Sequence, residues 1–198
     1  TETGPLISYS GYETYKAKAG GAVVEPFRTA RIDSTDPAKI PGEIHVRGEN
    51  VMAGYFKNEK ATQEMFTEDG WLKTGDMGTL DKDNVLYIRG RYKTMILLAN
   101  GQNVYPEEIE AKLNNLHCVM ESLVVEREGK LVALVVPDYE QADCECIAHG
   151  DLQGVMDENL KELNGLVAPY EKVSNIVLYP TEFEKTPKRS IRRYLYTV

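Results

Sequence analysis

Up to Arg91 the chain consists of strand-length runs separated by turn residues, and beyond it helical periodicities alternate with β-branched runs. This change of pattern near residues 89–93 constrains the fold more than any other feature, because neither a helical bundle nor an all-β sandwich accommodates both halves. In the first half the runs are Ala22–Val24, Thr29–Ile32, Glu43–Arg47 and Val85–Arg89, punctuated by Gly20-Gly21, Pro41-Gly42 and Asp83-Asn84. Asn58–Phe66 interrupts them with helical composition, and Asn58 suits an N-cap. In the second half, Pro106 near the first helical position, Glu107 and Glu108 in the first turn, and Ile109 and Leu113 four apart predict a helix over Tyr105–Leu113. Met120–Glu126 and Leu131–Val136 read as a hairpin joined by Arg127–Lys130. Leu152–Leu166 repeats apolar residues at Val155, Leu160, Leu163 and Leu166, a second amphipathic helix, and Val173–Tyr179 reads as a strand. The expected fold class is α+β, with a β-rich region over 1–91 and a mixed region over 92–198.

Composition narrows the function. An apolar content of 42% and a charged content of 27% over 198 residues are those of a globular chain, not a disordered or collagenous one. No apolar run approaches the ~18 residues of a transmembrane helix, and the first residues have neither the basic nor the apolar region of an export signal. Cys118, Cys144 and Cys146 are an odd number, which points to reduced thiols in the cytoplasm. A net charge of −8 argues against a nucleic-acid-binding surface. Between Glu182 and Arg193, however, five bases stand against two acids, giving +3 and leaving −11 elsewhere, so a local anion site remains open. The first residue is not Met, so the expectation is a fragment or processed form.

Four constellations carry chemistry, each with a bland alternative. In Trp71–Gly78 (WLKTGDMG), Asp76 lies between glycines and can accept hydrogen bonds from a sugar diol; for an isolated Thr-Gly-Asp a tight turn that caps itself is the favoured reading. Arg89–Lys93 (RGRYK) places bases around a glycine between the two regions, either a hinge with a donor fork or a solvated turn. Asn100–Asn103 is a turn in which Gly101 lets backbone approach a ligand. Cys144, Cys146 and His149 supply only three neighbouring ligands where structural zinc needs four, so ordinary thiols are expected. His45, in a strand, and His117, after a helix, have no Ser or Cys partner arrangement and read as structural.

Taken in order, the segments resemble the second half of the adenylate-forming enzymes, the superfamily of acyl-CoA ligases, luciferases and peptide-synthetase adenylation domains. The carriers are Thr1-Glu2, Gly42–Tyr55 (GEIHVRGENVMAGY), Trp71–Asp76 (WLKTGD), Gly90–Lys93 (GRYK), Gly101–Glu110 (GQNVYPEEIE) and Lys185–Arg193 (KTPKRSIRR). The GQNVYPEEIE form is most similar to long-chain fatty acid–CoA ligases. The resemblance implies that 1–91 is the last β-rich subdomain of a large adenylate-binding domain and 92–198 a mobile C-terminal domain. It implies an upstream part of the same enzyme with a Ser/Thr/Gly-rich phosphate loop, without which this chain is expected to be inactive. It implies ATP and AMP, Mg²⁺ and coenzyme A as cofactors, and fatty acid and CoA as substrates, with peripheral membrane contact open. By the same resemblance Thr1 meets the adenylate phosphate, Glu2 binds Mg²⁺, Asp76 binds the ribose hydroxyls with Arg91 assisting, Lys93 is the hinge and Gly101 lines the pantetheine tunnel. Acyl transfer to a carrier protein, or a stand-alone nucleotide-binding or regulatory module, are the alternatives.

At one place the sequence departs from the family. Against the common Thr-Pro-x-Gly-Lys-Ile, Thr186, Pro187 and Ile191 align, Arg189 takes the glycine position and Ser190 the catalytic lysine position. Pro187 biases Thr186 toward an extended conformation. If the segment stays extended, Lys188 and Ser190 share a face roughly 6.6 Å apart, Arg189 faces away, and Lys188 is the candidate to replace the missing ammonium. A solvated basic tail is the bland alternative.

Overall fold

The computed structural model describes residues 2–4, 6–24 and 28–197. The fold is α+β, in two compact units, Thr1–Thr94 and Met95–Val198.

The first unit is built from β1 (Ser8–Tyr9), β2 (Gly21–Val23), β3 (Arg28–Asp33), β4 (Gly42–Gly48), α1 (Glu59–Met65), β5 (Leu72–Leu80) and β6 (Val85–Arg91). Its six strands form one antiparallel sheet in the order β1-β2-β6-β5-β4-β3. Ile32, Ile44, Val46 and Leu86 form its buried core, with Ile7, Val51 and Leu80 packed on them. Asn58 caps α1 as expected, its Oδ1 accepting the Ala61 N–H at 3.1 Å. The segment Trp71–Gly78, in which a tight turn was one reading, instead runs into the nine-residue strand β5. Between Met77 and Lys73, β5 carries extra residues opposite Glu43–His45 of β4, a bulge that breaks its alternation, and such bulges hide a strand from a period-two search.

Gly42 starts β4 where a Cβ would lie 2.1 Å from the Asp33 carbonyl oxygen of β3. Because β3 is an edge strand and can give way, Gly42→Ala should cost about 2 kcal/mol. Urea unfolding of the chain checks this, and an unchanged midpoint would show that the edge moves freely.

The second unit contains β7 (Ile96–Leu97), β8 (Asn103–Val104), α2 (Pro106–Leu113), β9 (Val119–Arg127), β10 (Lys130–Pro137), α3 (Tyr139–Cys144), α4 (Leu152–Leu166) and β11 (Val173–Leu178). β9 and β10 form the expected hairpin, closed by Glu128 and Gly129 at φ 52° and 74°, the left-handed pair that a two-residue turn requires. β11 joins β10 in parallel, giving the order β11-β10-β9, and α3 and α4 supply the crossover that parallel pairing needs. The central strand is buried on both sides, which explains the unbroken apolar run Leu131–Val136. On one face Ile109, Leu113, Met156 and Leu163 pack against Val124, Ala133 and Val135. On the other, Leu123, Val125, Leu134 and Val136 meet Phe183, with Tyr179, Ile191 and Tyr196 beside it.

Two details correct the sequence reading. α4 buries Leu152, Met156, Asn159 and Leu163, while Leu166 is exposed and Val155 and Leu160 only flank the core. Asn159 is tolerated inside because its amide donates to the His117 carbonyl at 2.8 Å. The helix α3, which alternation did not reveal, is capped by Asp138 accepting the Gln141 N–H at 2.9 Å. It carries Cys144, and beyond it His149 engages Asp143 at 2.8 Å and the Tyr139 ring. Among the described residues no group of three metal-ligating side chains converges.

Candidate functional site

Antiparallel register sets Asp76 of β5 opposite Arg91 of β6. Arg91 Nη1 lies 3.0 Å from Asp76 Oδ1 and donates to the Thr74 carbonyl at 3.4 Å. The backbone before Asp76 is unusual: Gly75 has φ +74°, a conformation glycine adopts without steric cost. Three hydrogen bonds hold that bend. The Asp76 N–H donates to Thr74 Oγ1 at 3.1 Å, Thr74 Oγ1–H donates to the Ile44 carbonyl at 2.8 Å, and the Gly75 N–H donates to Glu43 Oε1 at 3.0 Å. Burial raises the Asp76 carboxyl above its ordinary value, Arg91 opposes the rise, and the neighbouring charge of Glu43 adds to it. Burial thus outweighs a well-formed ion pair here, so Asp76 gains from any ligand that donates hydrogen bonds to it.

Two cavities of the first unit share Arg91 in their lining, and Asp76 lines the smaller of them. One, about 470 Å³, is lined by Glu43, Glu64, Lys73, Arg91 and Lys93 among others. The other, about 160 Å³, is lined by Glu2, Lys73, Thr74, Asp76 and Arg91 among others. The structure thus brings together Glu2, Asp76 and Arg91, three residues far apart in sequence. Tyr55 O–H donates to Glu2 Oε1 at 3.1 Å. A backbone hydrogen bond, with Tyr55 second, holds the Glu2 carboxyl below its ordinary value, so it stays ionised. Among the described residues no group of three metal-ligating side chains includes Glu2, so it fits Mg²⁺ in the mode where one carboxylate shares the ion with substrate phosphates and water. A half-exposed carboxylate beside an Arg fork on a polar cavity fits a nucleotide sugar. Thr1, expected at the adenylate phosphate, lies outside the described residues.

Lys93 is exposed in the single 3₁₀ turn Tyr92–Thr94 that follows β6. Gly101 occupies the tip of the β7–β8 hairpin at φ +79°, with open space where a Cβ would project. Its conformation alone requires glycine there, and the open space leaves its backbone accessible.

The C-terminal segment corrects an expectation. Thr186–Arg189 is not extended: the Arg189 N–H donates to the Thr186 carbonyl at 2.8 Å and Lys185 bridges Ile191. The Thr186 N–H also donates to the Ser190 carbonyl at 2.8 Å, closing a small hairpin. Pro187 sits at the second position of this turn, where its fixed φ is favoured, so the strand argument separating Lys188 from Arg189 by face does not hold. Arg189 has φ +62°, the left-handed conformation expected of a glycine position. The five bases also divide. Lys185 pairs with Glu121 at 2.9 Å, Arg192 with Glu184 at 3.6 Å, and Arg193 with Glu110. Lys188, Arg189 and Ser190 are exposed at the turn, and neither base has an ion-pair partner among the described residues.

Glu43 and Glu110 were given no role from the sequence, and His45, read there as structural, is buried with its Nε2 3.3 Å from Glu43 Oε2. Glu43 and His45 stand two apart on one strand and therefore share a face, and a polar pair on the same side of a strand within a recognised motif was the available signal.

Residues 93–197 match the family described as AMP-binding enzyme C-terminal domain, and the chain belongs to that family. Among curated proteins it is 32% identical to the long-chain-fatty-acid–CoA ligase FadD15 of Mycobacterium tuberculosis, over 95% of this chain and 36% of that protein. It is 29% identical to 4-coumarate–CoA ligase 1 of Oryza sativa subsp. japonica, over 98% of this chain and 35% of that one. Among solved structures it is similar to o-succinylbenzoate CoA synthetase (MenE) of Bacillus subtilis in complex with the acyl-adenylate intermediate OSB-AMP. There the TM-score is 0.78 at 26% identity, covering 98% of this chain and 39% of that one. The chain spans about a third of the length of the curated relatives it matches. No helix among the described residues is long and apolar enough to cross a membrane.

Proposed function

We propose that this chain is the C-terminal part of an ATP-dependent long-chain fatty acid–CoA ligase that works through an acyl-adenylate and then a CoA thioester. The observation that carries the reading is the Asp76–Arg91 pair, 3.0 Å apart and both lining the smaller cavity, in a chain of the AMP-binding enzyme C-terminal domain family. Bound ATP supplies the electrophilic α-phosphorus, and Mg²⁺ offsets the charge that develops there. Asp76 accepts the ribose hydroxyls and Arg91 holds Asp76 in place while offering a second donor. Glu2 contributes one carboxylate toward Mg²⁺, and Thr1 contacts the adenylate phosphate. Lys93 serves as the hinge about which the second unit moves, Gly101 lines the path of the pantetheine thiol, and Lys188 supplies positive charge in place of the lysine that Ser190 replaces. The similarity to FadD15 and the GQNVYPEEIE motif favour a long-chain fatty acid over the acids named for other relatives. The three free thiols agree with a cytoplasmic location.

The full-length protein is expected to release pyrophosphate in response to long-chain fatty acid and then to form the thioester with CoA. The 198-residue chain alone should show no fatty acid–dependent ATP–pyrophosphate exchange, since half of a positioned site loses nearly all catalysis. Asp76→Ala in the full-length protein should raise the KM for ATP about tenfold or somewhat more, the effect of losing hydrogen bonds to a charged group. A preference for 4-coumarate or succinylbenzoate would overturn the fatty acid assignment, and exchange by the chain alone would overturn the division of the site.

A further inference from the structure

Glu43 has no part in the roles assigned above, yet it ends a chain of polar contacts running from the sheet edge to the bend before Asp76. On β4, Ile44 and Val46 point into the core at 2% and 0% exposure, so Glu43 and His45 lie on the other side, by the alternation of a strand. His45 is nevertheless buried, at 3% exposure. Arg31 reaches it from β3, its Nε 3.4 Å from His45 Nδ1. The Arg31 guanidinium is itself fixed by a two-toothed pair with Asp69, at 2.6 and 3.0 Å, and lies 4.7 Å over the Trp71 ring.

The donor directions along this chain are determined. Arginine only donates, so His45 Nδ1 accepts and the proton sits on Nε2. That nitrogen faces Glu43 Oε2 at 3.3 Å, and Glu43 Oε1 accepts the Gly75 N–H at 3.0 Å. A carboxylate is the side chain that can accept from both neighbours at once. An amide of the same size would turn its NH₂ against one of two donors.

We propose that Glu43 is a positioning residue for the nucleotide site, holding the left-handed bend at Gly75 so that Asp76 is presented with Arg91 as a pair. The proposal rests on the reading of Asp76 as the ribose-binding carboxylate. Glu43 does not touch the sugar in this scheme. Without its carboxylate the Gly75 N–H loses its acceptor, the bend relaxes, and Asp76 turns away from the register that sets it opposite Arg91.

The test is AMP binding to the full-length protein by calorimetry, as a double-mutant cycle with Asp76. Glu43→Ala should weaken AMP binding about tenfold, as for loss of a hydrogen bond to a charged acceptor, and should add nothing in the Asp76→Ala background. Glu43→Gln, which keeps the volume should the alanine variant not fold, should weaken it about threefold through the donor clash with His45. Additive effects in the cycle, or wild-type affinity in both Glu43 variants while Asp76→Ala weakens binding, would overturn the proposal and leave the ribose reading standing. Unchanged affinity in Asp76→Ala would remove the ribose reading and this inference with it.

Discussion

Replacing Arg193 by alanine should destabilise the chain by about 3 kcal/mol at neutral pH, because it strips a buried carboxylate of its counter-charge. Glu110 lies on α2 at 7% exposure, its Oε1 accepting the Val124 N–H at 2.7 Å. Its other oxygen accepts from Arg193 Nη2, while Arg193 Nη1 reaches the Val124 carbonyl at 3.5 Å. One arginine thus ties the C-terminal segment to a helix and a strand of the second unit. The figure belongs at the low end of the range for broken buried pairs, because 21% of the Arg193 side chain remains exposed. Burial pushes the Glu110 carboxyl up, with Arg193 the first of the influences that oppose it. Without Arg193 it must rise further. A carboxyl whose folded-state pKa is raised binds its proton more readily folded than unfolded, so its charged form costs stability at neutral pH and that cost fades as pH falls through the folded-state value. The loss in Arg193→Ala should therefore be larger at pH 7 than at pH 5, read as urea midpoints. A second variant, Arg193→Met with Glu110→Gln, should recover most of it. An equal loss at both pH values would mean that lost packing, not the orphaned carboxylate, sets the effect.

The sequence made such features legible only where the chemistry is local. α2 was readable because Pro106, two first-turn acids and the Ile109–Leu113 spacing all act within two turns. The β9–β10 hairpin was readable because Gly129 marks a two-residue turn between β-branched runs. β5 was not, since Gly75, Gly78 and a bulge interrupt its alternation, and a strand defined by neighbours on both sides needs no clear period of its own. The buried stripe of α4 was misread because Asn159 holds a core position that only its hydrogen bond to a distant carbonyl makes tolerable. At the site, Asp76 and Arg91 emerged from motifs in joint order, whereas Glu43 acts through a backbone N–H thirty-two residues away, a relation that no local pattern encodes. The C-terminal turn shows a subtler gap. The rule that the residue before proline is extended constrains Thr186 alone, while the chain that follows is free to turn at Pro187.

That turn yields the largest expected effect on catalysis, stated on the proposed ligase reading. At φ +62° Arg189 holds a conformation that costs a non-glycine residue about 1 kcal/mol, and it does so at the position where the resembled family has glycine. The left-handed residue of this turn thus falls where the resembled family has glycine, and on that reading the ammonium expected next is replaced by the Ser190 hydroxyl, which cannot neutralise charge developing on carboxylate and phosphate. With Lys185, Arg192 and Arg193 held in ion pairs, the cations available at the turn are Lys188 and Arg189. In the full-length protein, Lys188→Ala should slow adenylation about 10²-fold, the cost of removing one charge-stabilising donor, and leave transfer of preformed acyl-adenylate to CoA nearly unchanged. Because the two bases no longer separate by strand face, the decisive variant rebuilds the family pattern: Arg189→Gly combined with Ser190→Lys. It should relieve the left-handed strain, raise the adenylation rate about tenfold, and make Lys188→Ala nearly silent in its background, since the charge is then supplied where the turn is shaped to present it. Equal losses from Lys188→Ala in both backgrounds would exclude Lys188 as the replacement. A large loss from Arg189→Ala, with none from Lys188→Ala, would pass the role to the guanidinium.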